Sequence, residues 1–228
     1  MIDLNNYRRR VYSQAGEDGI IEQIFQTLDI KNGWYCEFGA GDGYWISNTR
    51  KLREEGWNGV LIEGDEESFK NLKNNFVENP KVEIINSYVS CEEHESLDYL
   101  LSSTGIPLDF DLLSIDVDGN DLWIWKSLTK YFPKVVVTEY NPSYDSHVSM
   151  TIKYDKDHRF NSDNYYGATP GAFNKLAEEK GYVLIGFTPG LNLFYCRKEF
   201  ATHFRENNIR EVAKGIGWPM SSREMIEY

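Results

Sequence analysis

The sequence is short of three things, and each shortage excludes a class of protein. Cysteine occurs only at Cys36, Cys91 and Cys196, far apart, with no CxxC pair and no zinc-ligand spacing, so neither a disulfide framework nor a zinc module can be built from it. Two of the three lie inside apolar runs where buried thiols are common, and this usage fits a reducing, cytoplasmic setting. Long apolar runs are missing too. No segment approaches the roughly 20 residues that cross a bilayer as a helix, and the opening MIDLNNYRRRVYSQ has basic residues with no apolar stretch behind them, so no membrane span is expected. Positive charge is the third shortage: 24 Lys and Arg face 36 Asp and Glu, a formal charge of -12. Such a surface repels nucleic-acid phosphates and anionic lipid, so nucleic acid is not expected as a partner.

What is present is alternation. A chain of 228 residues can enclose one sizeable core, so a single domain over 1–228 is expected. Apolar runs of strand length at Trp34 to Phe38, Gly59 to Ile62, 82–90, Asp111 to Ile115 and 134–140 are separated by stretches of helical period at 17–29, 47–55, 66–79, 95–103 and 122–132. That is the pattern of a parallel sheet covered by helices. The spacing of Leu122, Trp125, Leu128 and Phe132 marks a core-facing helical stripe. After a polar stretch at 141–168, long enough to be a lid over a site, a helix at 170–180 leads to two strand-like runs, GYVLIGFT and LNLFYCRKEF, joined by Pro189-Gly190, a hairpin signal. The expected fold is α/β: a doubly wound, mostly parallel seven-stranded sheet closed by an antiparallel hairpin. The tail from 201 is amphipathic and suits capping the sheet or meeting a partner.

Two segments carry chemistry. In Glu37-Phe38-Gly39-Ala40-Gly41-Asp42-Gly43, alternating glycines let the chain turn tightly off a strand and bring backbone N–H groups against a ligand. A dinucleotide fingerprint would need a further glycine where Tyr44 stands. Glu63, ending the second strand, is placed to accept hydrogen bonds from ribose hydroxyls. In LLSIDVDGND, Asp116 ends the fourth strand, while Glu139 and Asn141 end the fifth; in an open α/β sheet these edges converge on the ligand crevice. Asp, Glu and an Asn carbonyl are hard oxygen donors suited to Mg²⁺ or Mn²⁺, and residues i and i+2 of a strand face one side. The pattern is not an EF-hand, since glycine falls at the fourth position and Ser127 stands where the closing Glu belongs. Asp121, just before an apolar helix, reads as an N-cap rather than a ligand.

The glycine loop and the hairpin ending resemble the class I S-adenosylmethionine-dependent methyltransferases. SQAGEDG, EFGAGDG, SNT, GWNGVLIEGD, SIDVDGND and VVVTEYN together resemble their FkbM-type branch over about residues 12–198. The resemblance implies O-methylation of a small polar acceptor, a sugar or sugar nucleotide first, with S-adenosyl-L-methionine contacted by Gln14, Glu37, Gly39, Gly41, Asn48, Thr49, Glu63 and Asp116. In that scheme Glu37 holds the cofactor's ammonium. A further likeness to catechol-type O-methyltransferases implies a divalent metal on Asp116, Glu139 and Asn141, although Tyr140 separates the last two and Gly119-Asn120 replace the basic residue that follows the strand-four acid in that group. The proton acceptor is then Asp118, which is also a further candidate ligand, or His147; His94, His158 and His203 have less to recommend them. Two other readings stay open: a glycosyltransferase using Asp116-x-Asp118 to grip a metal-bound diphosphate, and a cofactor-binding protein without catalysis. The acceptor, the choice of metal and the oligomeric state, a homo-oligomer included, are not readable.

Overall fold

The computed structural model describes residues 1–212, 215 and 217–228. Its core is a seven-stranded sheet built from β1 (Trp34–Phe38), β2 (Asn58–Glu63), β3 (Val82–Asn86), β4 (Leu112–Ile115), β5 (Val135–Glu139), β7 (Tyr182–Phe187) and β8 (Asn192–Arg197). The strand order is β3-β2-β1-β4-β5-β8-β7, with β1 to β5 parallel and β8 antiparallel to both of its neighbours, which is the expected doubly wound arrangement with its terminal hairpin. Two short strands, β6 (Met150–Thr151) and β9 (Ile226–Glu227), pair separately.

Alternation along each strand feeds two cores. Cys36, Phe38, Val60, Ile62, Leu113, Ile115 and Val136 face one way, against α4 (Leu97–Leu101), α5 (Asp121–Ser127) and α6 (Pro170–Glu179). Tyr35, Leu61, Leu112, Val135 and Val137 face the other, against α1 (Glu17–Thr27), α2 (Arg50–Glu54) and α3 (Glu66–Phe76). Side-chain caps start several helices where the sequence supplies them: Asp65 accepts from Ser68 N–H, Ser96 from Tyr99 N–H and Thr169 from Ala172 N–H.

Two expected elements are shorter than their apolar patterns. β3 stops at Asn86 because β2 stops at Glu63, whose carbonyl takes the Ser87 N–H and the Asn86 amide as last rungs. α5 stops at Ser127 because the Asp98 carboxylate captures the N–H groups of Thr129 and Lys130, pulling the chain out of the helix; Phe132 ends 51% exposed rather than on a core stripe. In the tail, Asn207 N–H donates to Leu184 C=O in β7, and β9 pairs with β6. Among the described residues no helix is long and apolar enough to cross a membrane.

Candidate functional site

The glycine loop leaves β1 at the carboxyl edge of the sheet. Gly39 has φ +72, and a Cβ there would lie 1.9 Å from the Asp116 carbonyl oxygen, so the loop can press against the end of β4 only as glycine. The turn is closed by Gly43 N–H to Ala40 C=O at 2.8 Å and by Gly41 N–H to Glu63 Oε2 at 2.7 Å. The other Glu63 oxygen accepts from Asp65 N–H at 2.7 Å. The acid that ends β2 thus braces the glycine loop.

Glu37 is engaged within its own chain. Its Oε2 accepts from the Ser47 and Thr49 hydroxyls at 2.6 and 2.7 Å, and its Oε1 from Asn48 N–H at 2.9 Å. The Asn48 amide in turn donates to Ser114 Oγ on β4 at 3.1 Å. Glu37, Asn48 and Thr49 therefore come together as a buried brace beneath the loop, and Glu37 keeps only its remaining lone pairs for any ammonium. Gln14 is exposed, next to Ser13, which bridges to Ile46 at the start of the same segment. A buried carboxylate, Asp18, organises that approach by accepting from the N–H groups of Val11, Tyr12 and Ser13 and from the Ser13 hydroxyl.

Asp116, Asp118 and Glu139 present oxygen atoms that all lie within 4.8 Å of one another. Desolvation and then the Asp118 charge push Asp116 up to about 7, despite a hydrogen bond from Glu139. Burial, Asp116 and Asp118 raise Glu139 well above the carboxylate range, and burial raises Asp118 too. Three acids held this close share protons or share a cation. Asp118 sits at φ +52, a left-handed conformation that Asp tolerates better than most residues and that recurs at functional sites. Tyr166 is buried nearby, and its hydroxyl is pushed upward by burial and by the same acids.

Two residues depart from the expected roles. Asn141 is not in this trio: β5 ends at Glu139, and the fully buried Asn141 amide donates to Asn164 C=O and Tyr166 C=O, both at 2.9 Å, while its Oδ1 accepts from Ser143 N–H. It staples the 141–168 segment through these bonds. Asp121 is the first residue of α5 rather than its N-cap, and its carboxylate accepts from Val117 N–H at 2.9 Å and Gly119 N–H at 2.7 Å, fixing the loop that carries Asp116 and Asp118.

Between these groups lies a cavity of about 270 Å³, lined by Gly39, Glu63, Tyr88, Asp116, Asp118 and His158 among others. His158 is the residue that sequence reasoning undervalued. It is 9% exposed, its Nε2 has no hydrogen-bond partner, and its ring fills the place a side chain at Gly119 would take, since a Cβ there would meet His158 Cδ2 at 2.5 Å. Burial and the Arg223 charge lower its pKa, partly offset by the Asp118 backbone. His147 is exposed and is not among the lining residues. His158 reaches the site because Asn120 ties the segment down, donating to Asp155 C=O at 2.8 Å and accepting from Asp155 N–H at 3.3 Å. No periodicity in that loop could have announced it.

The architecture is that of the Rossmann-like class I methyltransferases. The N-terminal domain of EvdMO1 with S-adenosylhomocysteine (SAH) bound matches 79% of this chain and 80% of its own at 13% identity and a TM-score of 0.50. The same domain in the presence of SAH and D-fucose matches 79% and 82% at 14% identity and 0.50. The CurJ carbon methyltransferase matches 81% of this chain but 56% of its own at 12% identity and 0.50. No protein-family model and no curated protein matches the chain.

Proposed function

We propose that this protein is an S-adenosylmethionine-dependent O-methyltransferase, assisted by Mg²⁺ or Mn²⁺, that modifies a hydroxyl of a sugar, sugar nucleotide or related polar metabolite. One observation carries the reading: a single cavity has the glycine loop and Glu63 on one wall and the Asp116–Asp118 loop with His158 on another. The FkbM resemblance, the fold and an SAH-bound neighbour support the cofactor; a neighbour determined with D-fucose supports a sugar-like acceptor. The free thiols of Cys36, Cys91 and Cys196 support a cytoplasmic setting.

Asp116, Asp118 and Glu139 fit a divalent cation by donor type, spacing and raised pKa values, with Asn141 removed from the ligand set. When bound, the cofactor supplies a sulfonium methyl group and the cation makes a chelated hydroxyl more acidic. The chain's own groups do the rest. Glu63 exchanges its hold on Gly41 and Asp65 for ribose hydroxyls, and the Glu37 brace keeps the loop in shape for the amino-acid end. His158 Nε2 accepts the proton that the acceptor hydroxyl gives up, taking the role assigned from sequence to His147, while Asp118 serves as ligand. The loop that carries His158 keeps water from the transfer. The methyltransferase neighbours support this reading over the D-x-D glycosyltransferase.

Calorimetric titration of SAH, with and without Mn²⁺, into the wild type and Asp116→Ala tests this. SAH binding in both proteins with Mn²⁺ binding only in the wild type is expected. Absence of SAH binding in the wild type would sink the proposal.

A further inference from the structure

The lid adds to the cavity three basic side chains in one short turn, Lys156, His158 and Arg159. In a chain of formal charge -12, acidic partners are plentiful, and Arg9 pairs with Glu22, Lys134 with Asp111 and Arg205 with Glu211. Lys156 and Arg159 make no ion pair among the described residues. Arg159 donates only to the backbone carbonyls of its own turn, at 2.7 Å to His158 and 3.4 Å to Lys156, and its guanidinium lies over the Tyr88 ring at 4.1 Å. Tyr88 lines the same cavity, so the stacking holds the planar group against its wall. His158, nine-tenths buried, contributes an Nε2 without a partner. Two unpaired cations on one cavity call for an oxyanion, and the unsatisfied His158 nitrogen beside them for a hydroxyl.

Resting on the methyltransferase reading above, we infer that the acceptor is a phosphate ester, its phosphate held by Lys156 and Arg159 while its hydroxyl lies between His158 and the acidic trio. A doubly charged, tetrahedral oxyanion matches an ammonium and a guanidinium that line one cavity, and charge-assisted bonds of this kind are the strong ones. The trio repels a phosphate unless a cation neutralises it, so phosphate and divalent cation should bind with positive cooperativity.

The test is calorimetric, on the full chain saturated with SAH and Mg²⁺, using a hexose 1-phosphate, the unphosphorylated hexose, the corresponding uronic acid and inorganic phosphate, and repeating with the Lys156→Met/Arg159→Gln variant. The hexose phosphate should bind best, lose affinity at least about tenfold in the variant, and bind more weakly without Mg²⁺. Equal affinity for the neutral hexose overturns the inference, as does undiminished phosphate binding by the variant. A preference for the uronic acid overturns it in favour of a carboxylate acceptor. SAH binding with no phosphate binding removes this inference and leaves the methyltransferase reading standing; failure to bind SAH removes both.

Discussion

Protonation of the acidic trio should limit how tightly it takes a divalent cation, and the geometry sets the size of the effect. Asp116, Asp118 and Glu139 lie within 4.8 Å of one another. Asp116 is raised to about 7 and Glu139 higher than an ordinary carboxylate, so near pH 6 the site holds at least one proton that a metal has to displace. Each displaced proton changes apparent affinity about tenfold per pH unit. Mn²⁺ affinity should therefore rise about fivefold from pH 6 to pH 7, and more steeply if Glu139 also releases its proton. The stability of the metal-free protein moves the other way. Above about pH 4 the unfolded chain releases a proton that folded Asp116 retains, so stability falls as pH rises to about 7, by on the order of 4 kcal/mol for a carboxyl moved from 3.8 to about 7. Saturating Mn²⁺ should recover most of that loss. Titrating Mn²⁺ in two buffers of different ionisation enthalpy counts the released protons directly. An affinity flat between pH 5.5 and pH 8, with no proton release, would refute the reasoning, because the three acids would then be titrating independently.

Gly39→Ala must place a methyl group 1.9 Å from the Asp116 carbonyl at φ +72, so the loop has to move; SAH affinity should fall at least about tenfold with the fold retained by circular dichroism. Unchanged SAH affinity would show that the glycine loop does not meet the cofactor. Glu37→Gln turns an amide toward the donors of Ser47, Asn48 and Thr49, and should cost about 1–3 kcal/mol in urea unfolding; a loss under about 0.5 kcal/mol would mean those donors find other partners. Removing 218–228 takes away Asn164's contact with Pro219 and Ser221 and the pairing of β9 with β6, so amide exchange should quicken in 141–168 while β1 to β5 stay protected. Equal protection in that loop would contradict the assigned role of the tail.

The sheet was readable because its evidence is local. Strands buried on both faces show as apolar runs, and Gly39 to Gly43 and Pro189-Gly190 punctuate them. Asp116 directly follows β4 and Glu139 ends β5, positions that the apolar runs before them mark in the sequence. Asn141 follows the end of β5 at Glu139, so the i, i+2 rule for a continuing strand does not set where its side chain goes. Glu37 was found but its partners were not: three donors at 47–49 reach it only after the chain turns back. The limit on α5 was set by Asp98, some thirty positions earlier, and the arrival of His158 by Asn120. Such partners are tertiary, and no spacing within either segment encodes them.

The pairing of Met150–Thr151 with Ile226–Glu227 also orders events during synthesis. Every strand of the large sheet is complete once Arg197 has emerged, so the glycine loop and the β4 turn can form while later residues are still being made. The segment carrying Lys156, His158 and Arg159 gains its strand partner only when residue 227 is available, a contact far apart along the chain and correspondingly slow to close. On the proposed methyltransferase reading, the nascent protein would pass through a stage competent for the cofactor but without a finished acceptor pocket, and methyl transfer would appear as a late kinetic phase behind cofactor binding.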